Sequence, residues 1–250
     1  MQKLSSTGAY ILSAAATLAL LLVAVPAKAG LSFDGSVSYV SNYVFRGVSN
    51  TNEKIAVQSG FNLDSGGLIQ AGFWESNSAV GDLGADAGLE LNFYLSFRLQ
   101  PSRGEGPELG ILDYIFVHDD SLNYVELFIK SGEIFTGFNI DLYVSDSYEA
   151  SESFASVLEF GYSVPLRLVG DANSSKKTDS SFTFDFTYGI TNASDNIFAA
   201  DQSSYTYWTA AIAFKLGKGE LKAAYSDSDR TCLSQSLCER QQSIAWTHYF

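Results

Sequence analysis

Ala85-Asp86-Ala87-Gly88-Leu89-Glu90-Leu91-Asn92-Phe93-Tyr94-Leu95-Ser96-Phe97-Arg98-Leu99-Gln100 decides the fold. Apolar Ala85, Ala87, Leu89, Leu91, Phe93, Leu95, Phe97 and Leu99 alternate with Asp86, Gly88, Glu90, Asn92, Tyr94, Ser96, Arg98 and Gln100. A period of two belongs to an extended strand, whose successive side chains point to opposite faces. Ordinary strands run to about 5–6 residues, and a tilted strand crosses a bilayer in about 9–11. So long an apolar ladder needs an apolar neighbour along its whole length. A second sheet supplies one in a soluble sandwich, and lipid supplies one in a membrane.

The pattern recurs along the chain. Phe33, Val37, Tyr39, Tyr43 and Phe45 share one parity, with Asp34, Ser36, Ser38, Asn42 and Arg46 on the other. Phe182, Phe184, Phe186, Tyr188 and Ile190 alternate with Thr183, Asp185, Thr187 and Gly189. Trp208, Ala210, Ile212, Phe214 and Leu216 do the same. Strands are expected at residues 32–46, 55–63, 67–75, 84–100, 108–117, 122–130, 134–145, 153–164, 180–191, 203–216, 219–227 and 241–250. Asp64-Ser65-Gly66-Gly67, Ser131-Gly132-Glu133 and Gly217-Lys218-Gly219 carry tight-turn chemistry. Other connections are longer and polar. Short turns at one end and long loops at the other are the habit of a membrane barrel. The expected fold is all-β, a single antiparallel transmembrane β-barrel of about 12 strands. Residues 100–107 and 165–179 fit the alternation of loop lengths poorly, which keeps a ten-stranded count in play.

Both ends of the sequence agree. Lys3, an apolar run from Ala9 to Val25, and Ala27-Lys28-Ala29 read as a signal peptide over residues 1–29. That leaves 30–250 as the barrel domain, 221 residues (250 minus 29). The final stretch, Ser243 to Phe250, places Ile244, Trp246 and Phe250 on one strand face. A terminal aromatic strand resembles those that bacterial outer-membrane barrels present to the barrel-assembly machinery, so Trp246 and Phe250 are the candidate assembly signal.

The chain has 21 Gly, 14 Tyr and 18 Phe but only 4 Pro, as turn-rich β structure requires. Its formal charge of −13 becomes −15 when Lys3 and Lys28 leave with the leader. An acidic chain is a poor partner for nucleic acid, whose phosphates need a basic face.

Ser41-Asn42-Tyr43-Val44-Phe45-Arg46-Gly47-Val48-Ser49 carries a more specific signal, continued at Thr51, Ala56-Val57-Gln58, Gly60-Phe61 and Gly72-Phe73-Trp74 with Ser76-Asn77. In these motifs the chain resembles the TorF-family porins, catalogued also as Gcw-type conserved hypothetical proteins. Asn50 stands where that pattern usually has Gln, and Val125 where it tends to Thr. The resemblance covers about the first third of the mature chain. It implies a Gram-negative outer-membrane barrel with a porin role and names no solute.

Enzyme chemistry is not expected. His118 and His248 are the only histidines, and His248 shares the parity of Ile244 and Trp246. A Ser–His–Asp site around His118, Asp119 and Asp120 has no further support. P-loop and H-E-x-x-H motifs do not occur, and neither a metal nor a cofactor is called for. Cys232 and Cys238, an even pair in an exported chain, suggest a disulfide in the last outer loop.

Parity also places the lumen. If the apolar ladders face lipid, the pore-lining candidates are Arg46, Asp86, Glu90, Arg98, Glu126, Lys130, Asp141 and Asp185. Asp34, Asn42, Gln58, Asn139 and Glu159 join them. Arg46 is expected at the outer mouth, pairing with a carboxylate or meeting a solute. Trp74, Trp208 and Trp246 are candidates for interfacial girdles. An acidic excess can favour cations, and the same charges can pair across the lumen and plug it. Eight strands leave a filled interior and 16–18 an aqueous channel, so twelve decides neither. The expected function is passive diffusion of small hydrophilic solutes or ions, leaning to cations, with outer-membrane lipid as surroundings. A closed structural or adhesive barrel and a secreted soluble β-sandwich are the alternatives.

Overall fold

The computed structural model describes residues 30–79, 88–99, 106–166, 180–198, 201–232 and 234–250. The expected leader at 1–29 and Asp86 lie outside the described residues. The strands are β1 (Leu31–Val40), β2 (Val44–Phe45), β3 (Val48–Ser49), β4 (Ala56–Ser65), β5 (Ile69–Ser78), β6 (Gly88–Arg98) and β7 (Glu108–Phe116). Then come β8 (Tyr124–Lys130), β9 (Phe138–Ser145), β10 (Ala155–Leu166), β11 (Ser180–Ala193), β12 (Ser204–Leu216), β13 (Gly219–Ser228) and β14 (Gln241–Tyr249).

All except β2 and β3 form one closed antiparallel barrel, in the cyclic order β1-β14-β13-β12-β11-β10-β9-β8-β7-β6-β5-β4. Each strand pairs with its sequence neighbour, and β1 closes the ring against both β14 and β4. Every one of the twelve expected strands is present, so the ten-strand alternative falls. Closure removes the sheet edges that would otherwise invite aggregation.

Alternation sorts the side chains. Along β8, Tyr124, Glu126 and Phe128 are 5%, 1% and 4% exposed, whereas Val125, Leu127 and Ile129 are 36%, 55% and 59% exposed. Register carries this parity around the wall: Ser76 faces Glu90, Asn92 faces Tyr114, Leu112 faces Glu126, and Lys130 faces Asp141. Polar and aromatic side chains therefore fill the interior, and the outer wall is a band of Leu, Ile, Val and Phe. Phe33, Phe61, Phe73 and Phe93 continue that band as a chain of ring contacts at 5.8–6.2 Å. Trp208 stands on the outer wall between Phe186 and Tyr225, and Trp246 is 46% exposed there.

Four expectations need correction. The first strand was expected to run to Arg46, but β1 stops at Val40, and residues 41–52 turn into the barrel. Tyr43 and Phe45 had the parity of the outer wall, yet Tyr43 is buried inside against Trp74, with ring centroids 5.2 Å apart. Trp74 is consequently a luminal residue and not part of a girdle. Its register partners, Gly60 and Asn92, face inward with it. Finally, β9 begins at Phe138, not at residue 134. Ile134 and Phe135 form a separate bend in which Ile134 N–H donates to the Phe138 carbonyl at 2.8 Å.

The end holding Leu31 and Phe250 is called the inner end below, and the opposite end the outer. Gly217, at φ +57, makes the inner turn between β12 and β13, a backbone shape that favours glycine. The expected irregular connections at 100–107 and 165–179 lie largely outside the described residues, although β10 runs through Pro165 to Leu166. No helix among the described residues is long and apolar enough to cross a membrane, which bears only on helices.

Candidate functional site in the barrel lumen

Residues 41–52 build the centre of the site. Val44–Phe45 and Val48–Ser49 pair as a miniature hairpin, with Arg46 and Gly47 as its two central residues at φ 49 and 82. Two positive φ values define the primed turn that suits a two-residue hairpin. A Cβ at Gly47 would lie 2.8 Å from the Ser228 Cβ and 2.9 Å from the Tyr207 Cβ, so conformation and close approach both demand glycine.

The turn carries Arg46 to the far wall. Its Nη1 donates to Glu126 Oε1 at 2.6 Å and its Nη2 to Oε2 at 3.0 Å, a bidentate pair. Nη1 also donates to the Tyr148 hydroxyl at 3.2 Å, and the Tyr114 hydroxyl donates to Glu126 Oε2 at 3.0 Å. The Phe45, Tyr143 and Tyr148 rings lie 4.7–5.5 Å from the guanidinium. The Arg46 and Glu126 side chains are 3% and 1% exposed. Burial alone would lower the Arg46 pKa, but the Glu126 charge and the neighbouring tyrosines reverse the direction, so the guanidinium keeps its proton.

The hairpin is tied down on every side. Asn42 Nδ2 donates to Gln241 Oε1 at 2.8 Å, and the Ser49 hydroxyl donates to Asn42 Oδ1 at 2.7 Å. Tyr43 N–H donates to Thr51 Oγ1 at 3.0 Å, and its hydroxyl reaches Glu90 Oε1 at 3.2 Å. Val48 packs on the disulfide between Cys232 and Cys238, whose Cα atoms are 6.1 Å apart. Above lies an aromatic layer of Tyr114, Phe116, Tyr124, Tyr148, Phe198, Tyr205 and Tyr207. Arg230 crosses it to pair with Glu149 through two hydrogen bonds of 2.8 Å, joining two outer loops. The described residues therefore pack closely across the outer half of the lumen.

The inner half is more open and charged. A cavity of about 350 Å³ lies directly under Phe45 and Arg46, lined also by Gln70, Tyr94, Glu108, Lys130, Tyr143 and Glu159. A second, of about 420 Å³, continues to the inner end past Arg98, Glu108, Lys130, Asn139 and Asp141. Lys222 Nζ meets Asp185 at 3.0 Å, and Arg98 Nη1 lies 3.6 Å from Asp64. The Tyr207 hydroxyl donates to Glu159. On inward parity, Asp34, Asp64, Glu90, Glu108, Glu126, Asp141, Glu159, Asp185 and Glu220 outnumber Arg46, Arg98, Lys130, Lys215 and Lys222.

Of the sequence candidates, Glu90, Arg98, Glu126, Lys130, Asp141 and Asp185 line the lumen. Arg46 does too, but deep within it and not at the outer mouth. Positive φ folds the chain inward, and the pair with Glu126 holds it there. Trp246 and Phe250 stand on the outer wall, where the Phe250 ring covers Gly35. Sequence reasoning missed the luminal roles of Tyr43, Trp74, Tyr114, Tyr148, Tyr207 and Gln241. Parity alone could have found Trp74, which shares a face with Gly72 and Ser76. Among the described residues no cluster of His, Cys, Asp and Glu could hold a metal ion.

A closed twelve-stranded barrel, apolar outside and charged within, defines the porin-like class of β-barrel fold. The chain belongs to the Gcw_chp family, described as bacterial proteins of unknown function, whose pattern matches residues 24–245. A solved structure of the KdgM porin has a similar fold at 5% identity, with a TM-score of 0.51 over 87% of this chain and 99% of that one. An outer membrane channel from Pseudomonas putida F1 matches more loosely, at 14% identity and a TM-score of 0.38 over 90% and 99% of the two chains. Among curated proteins, none matches the sequence.

Proposed function

We propose that this protein is an outer-membrane porin-like channel for passive diffusion of small hydrophilic solutes, with a preference for cations. One observation carries the reading: charged side chains are gathered in the lumen, and the wall around them is mostly apolar. Ten of the twelve barrel strands reach the roughly 9–11 residues a tilted crossing needs, β8 and β9 having 7 and 8, and a closed barrel satisfies its backbone without water. Export through a signal peptide at residues 1–29 and delivery of Trp246 and Phe250 to the barrel-assembly machinery belong to the same reading, as does the TorF-family resemblance at Ser41–Ser49. The protein is not an enzyme on this account. Acidic excess in the inner vestibule, with Glu108, Asp141 and Asp185, would supply the cation preference.

A second reading is a closed structural or adhesive barrel. The buried Arg46–Glu126 pair favours it, because the described residues pack closely across the outer lumen. Planar-bilayer recording of the refolded mature chain separates the two. Discrete conductance steps with cation preference support the channel. A folded, heat-modifiable barrel that passes no current, and still passes none as Arg46→Ala, supports the closed barrel.

A further inference from the structure

The barrel wall is not evenly sewn. β8 and β9 pair only from Leu127 with Val144 to Lys130 with Asp141. Tyr124, Val125 and Glu126 pair with β7, but no residue of β9 pairs with them. Beyond Ser145 the chain leaves the wall, and the turn at Tyr148–Ala150 carries Tyr148 inward to Arg46. A lateral seam opens at the outer half of the wall, and a cavity of about 540 Å³ occupies it on the outer face.

We propose that this seam seats a single-chain membrane amphiphile with a cationic, hydrogen-bond-donating head. Ile115, Val125, Leu127, Val144 and Phe154 make one side of the groove apolar, and they are continuous with the apolar wall that meets lipid. Asp113 supplies the polar end. By register it faces outward, opposite Phe93 and Val125, so it is a carboxylate set in an otherwise apolar band. An isolated carboxylate facing hydrocarbon is costly, and a cationic donor relieves that cost. Asp146 lies at the same end, and like charge there disfavours phosphate or sulfate heads. On the groove wall, Asn123 Oδ1 accepts the Phe116 N–H at 2.7 Å and ties the two strands together there. The three residues of β8 that pair with β7 but not with β9 border the tyrosine layer around Arg46, so an occupant would sit across one strand from the luminal hairpin. The inference rests on the membrane reading of the outer wall and not on conduction.

The test uses the full mature barrel in lipid nanodiscs and a dodecylamine bearing a chain-terminal nitroxide. Methyl NMR reads paramagnetic broadening at Val125, Leu127 and Val144 against Ile212 and Leu221 on the remote outer wall. Saturable broadening confined to the seam is expected, absent for a dodecyl sulfate with the same label. Asp113→Asn should weaken it by about tenfold, the loss of one charge-assisted contact. Val144→Trp, which fills the groove without touching the carboxylate, should abolish it. Equal broadening of all five methyls, or no response to either variant, overturns the site while leaving the membrane reading intact. No broadening anywhere overturns both. Self-association that covers the seam, seen by sedimentation, also overturns it.

Discussion

Replacing Glu126 with alanine should release the luminal hairpin while leaving the barrel closed. The substitution removes both carboxylate contacts, at 2.6 and 3.0 Å, and strands a guanidinium whose side chain is 3% exposed. Breaking such a buried pair from one side costs about 3–5 kcal/mol, mostly the penalty of an uncompensated charge. The hairpin can escape that penalty by swinging away, which the barrel strands cannot do. Its closed state should lose a factor of about 10² to 4 × 10³ in population, at tenfold per 1.4 kcal/mol. Hydrogen exchange of amides in residues 41–52 should quicken by a comparable factor, with those of β11 and β12 unchanged. In a planar bilayer the open fraction should rise. The double variant Arg46→Ala/Glu126→Ala should be milder than Glu126→Ala, because no charge is left behind. Unchanged exchange in residues 41–52 for Glu126→Ala would refute the latch, whatever the conductance.

Arg230→Ala should loosen the two outer loops it joins, at a cost of about 1–3 kcal/mol to their docked state, because the Glu149 carboxylate it strands is 22% exposed and partly hydrated. Limited proteolysis between Ser145 and Ala155 reads this, and unaltered cleavage would count against it. Cys232→Ser/Cys238→Ser should cost about 2 kcal/mol, the closure entropy of a short loop, and raise exchange at Val48. An effect confined to residues 229–240 would deny the contact with the hairpin any role. Gly47→Ala should free the hairpin much as Glu126→Ala does, because its Cβ has no room beside Ser228 and Tyr207. Wild-type exchange in that variant would contradict the packing. The Ser153 and Ser194 hydroxyls donate to Asp195 and hold its carboxyl below the usual carboxylate range. A lowered pKa stabilises at pH values above the unfolded value, so this loop tie should persist at neutral pH and weaken only as pH falls through the lowered value. An NMR titration of Asp195 in or above the usual range would reverse that sign.

The barrel was legible because it obeys one local rule. Alternation of Leu89 to Leu99 fixes which side chains share a face, and register then follows from burying one set together. Glu90, Arg98, Glu126, Lys130, Asp141 and Asp185 were placed in the lumen by that rule alone. It failed at Tyr43 and Phe45, which keep the alternation but not the strand. Arg46 and Gly47 break the strand through positive φ, and an Arg-Gly dipeptide is a weak local sign of that. The inward turn is stabilised by partners far along the chain: Glu126 is 80 residues from Arg46, and Gln241 is 199 from Asn42. Nothing within a strand-length window could reveal either pairing.

Those separations also bear on how the molecule comes together. The hairpin leaves the first barrel strand, and its contacts run from β5, β6, β8 and β9 to β12, β13, β14 and the loop holding the disulfide. Its binding surface is not complete until the final strands have been added. Contacts so remote in sequence form late and slowly, because loop closure must precede them. An empty barrel with a loose hairpin is therefore the expected last intermediate, and sealing of the lumen the final event of biogenesis.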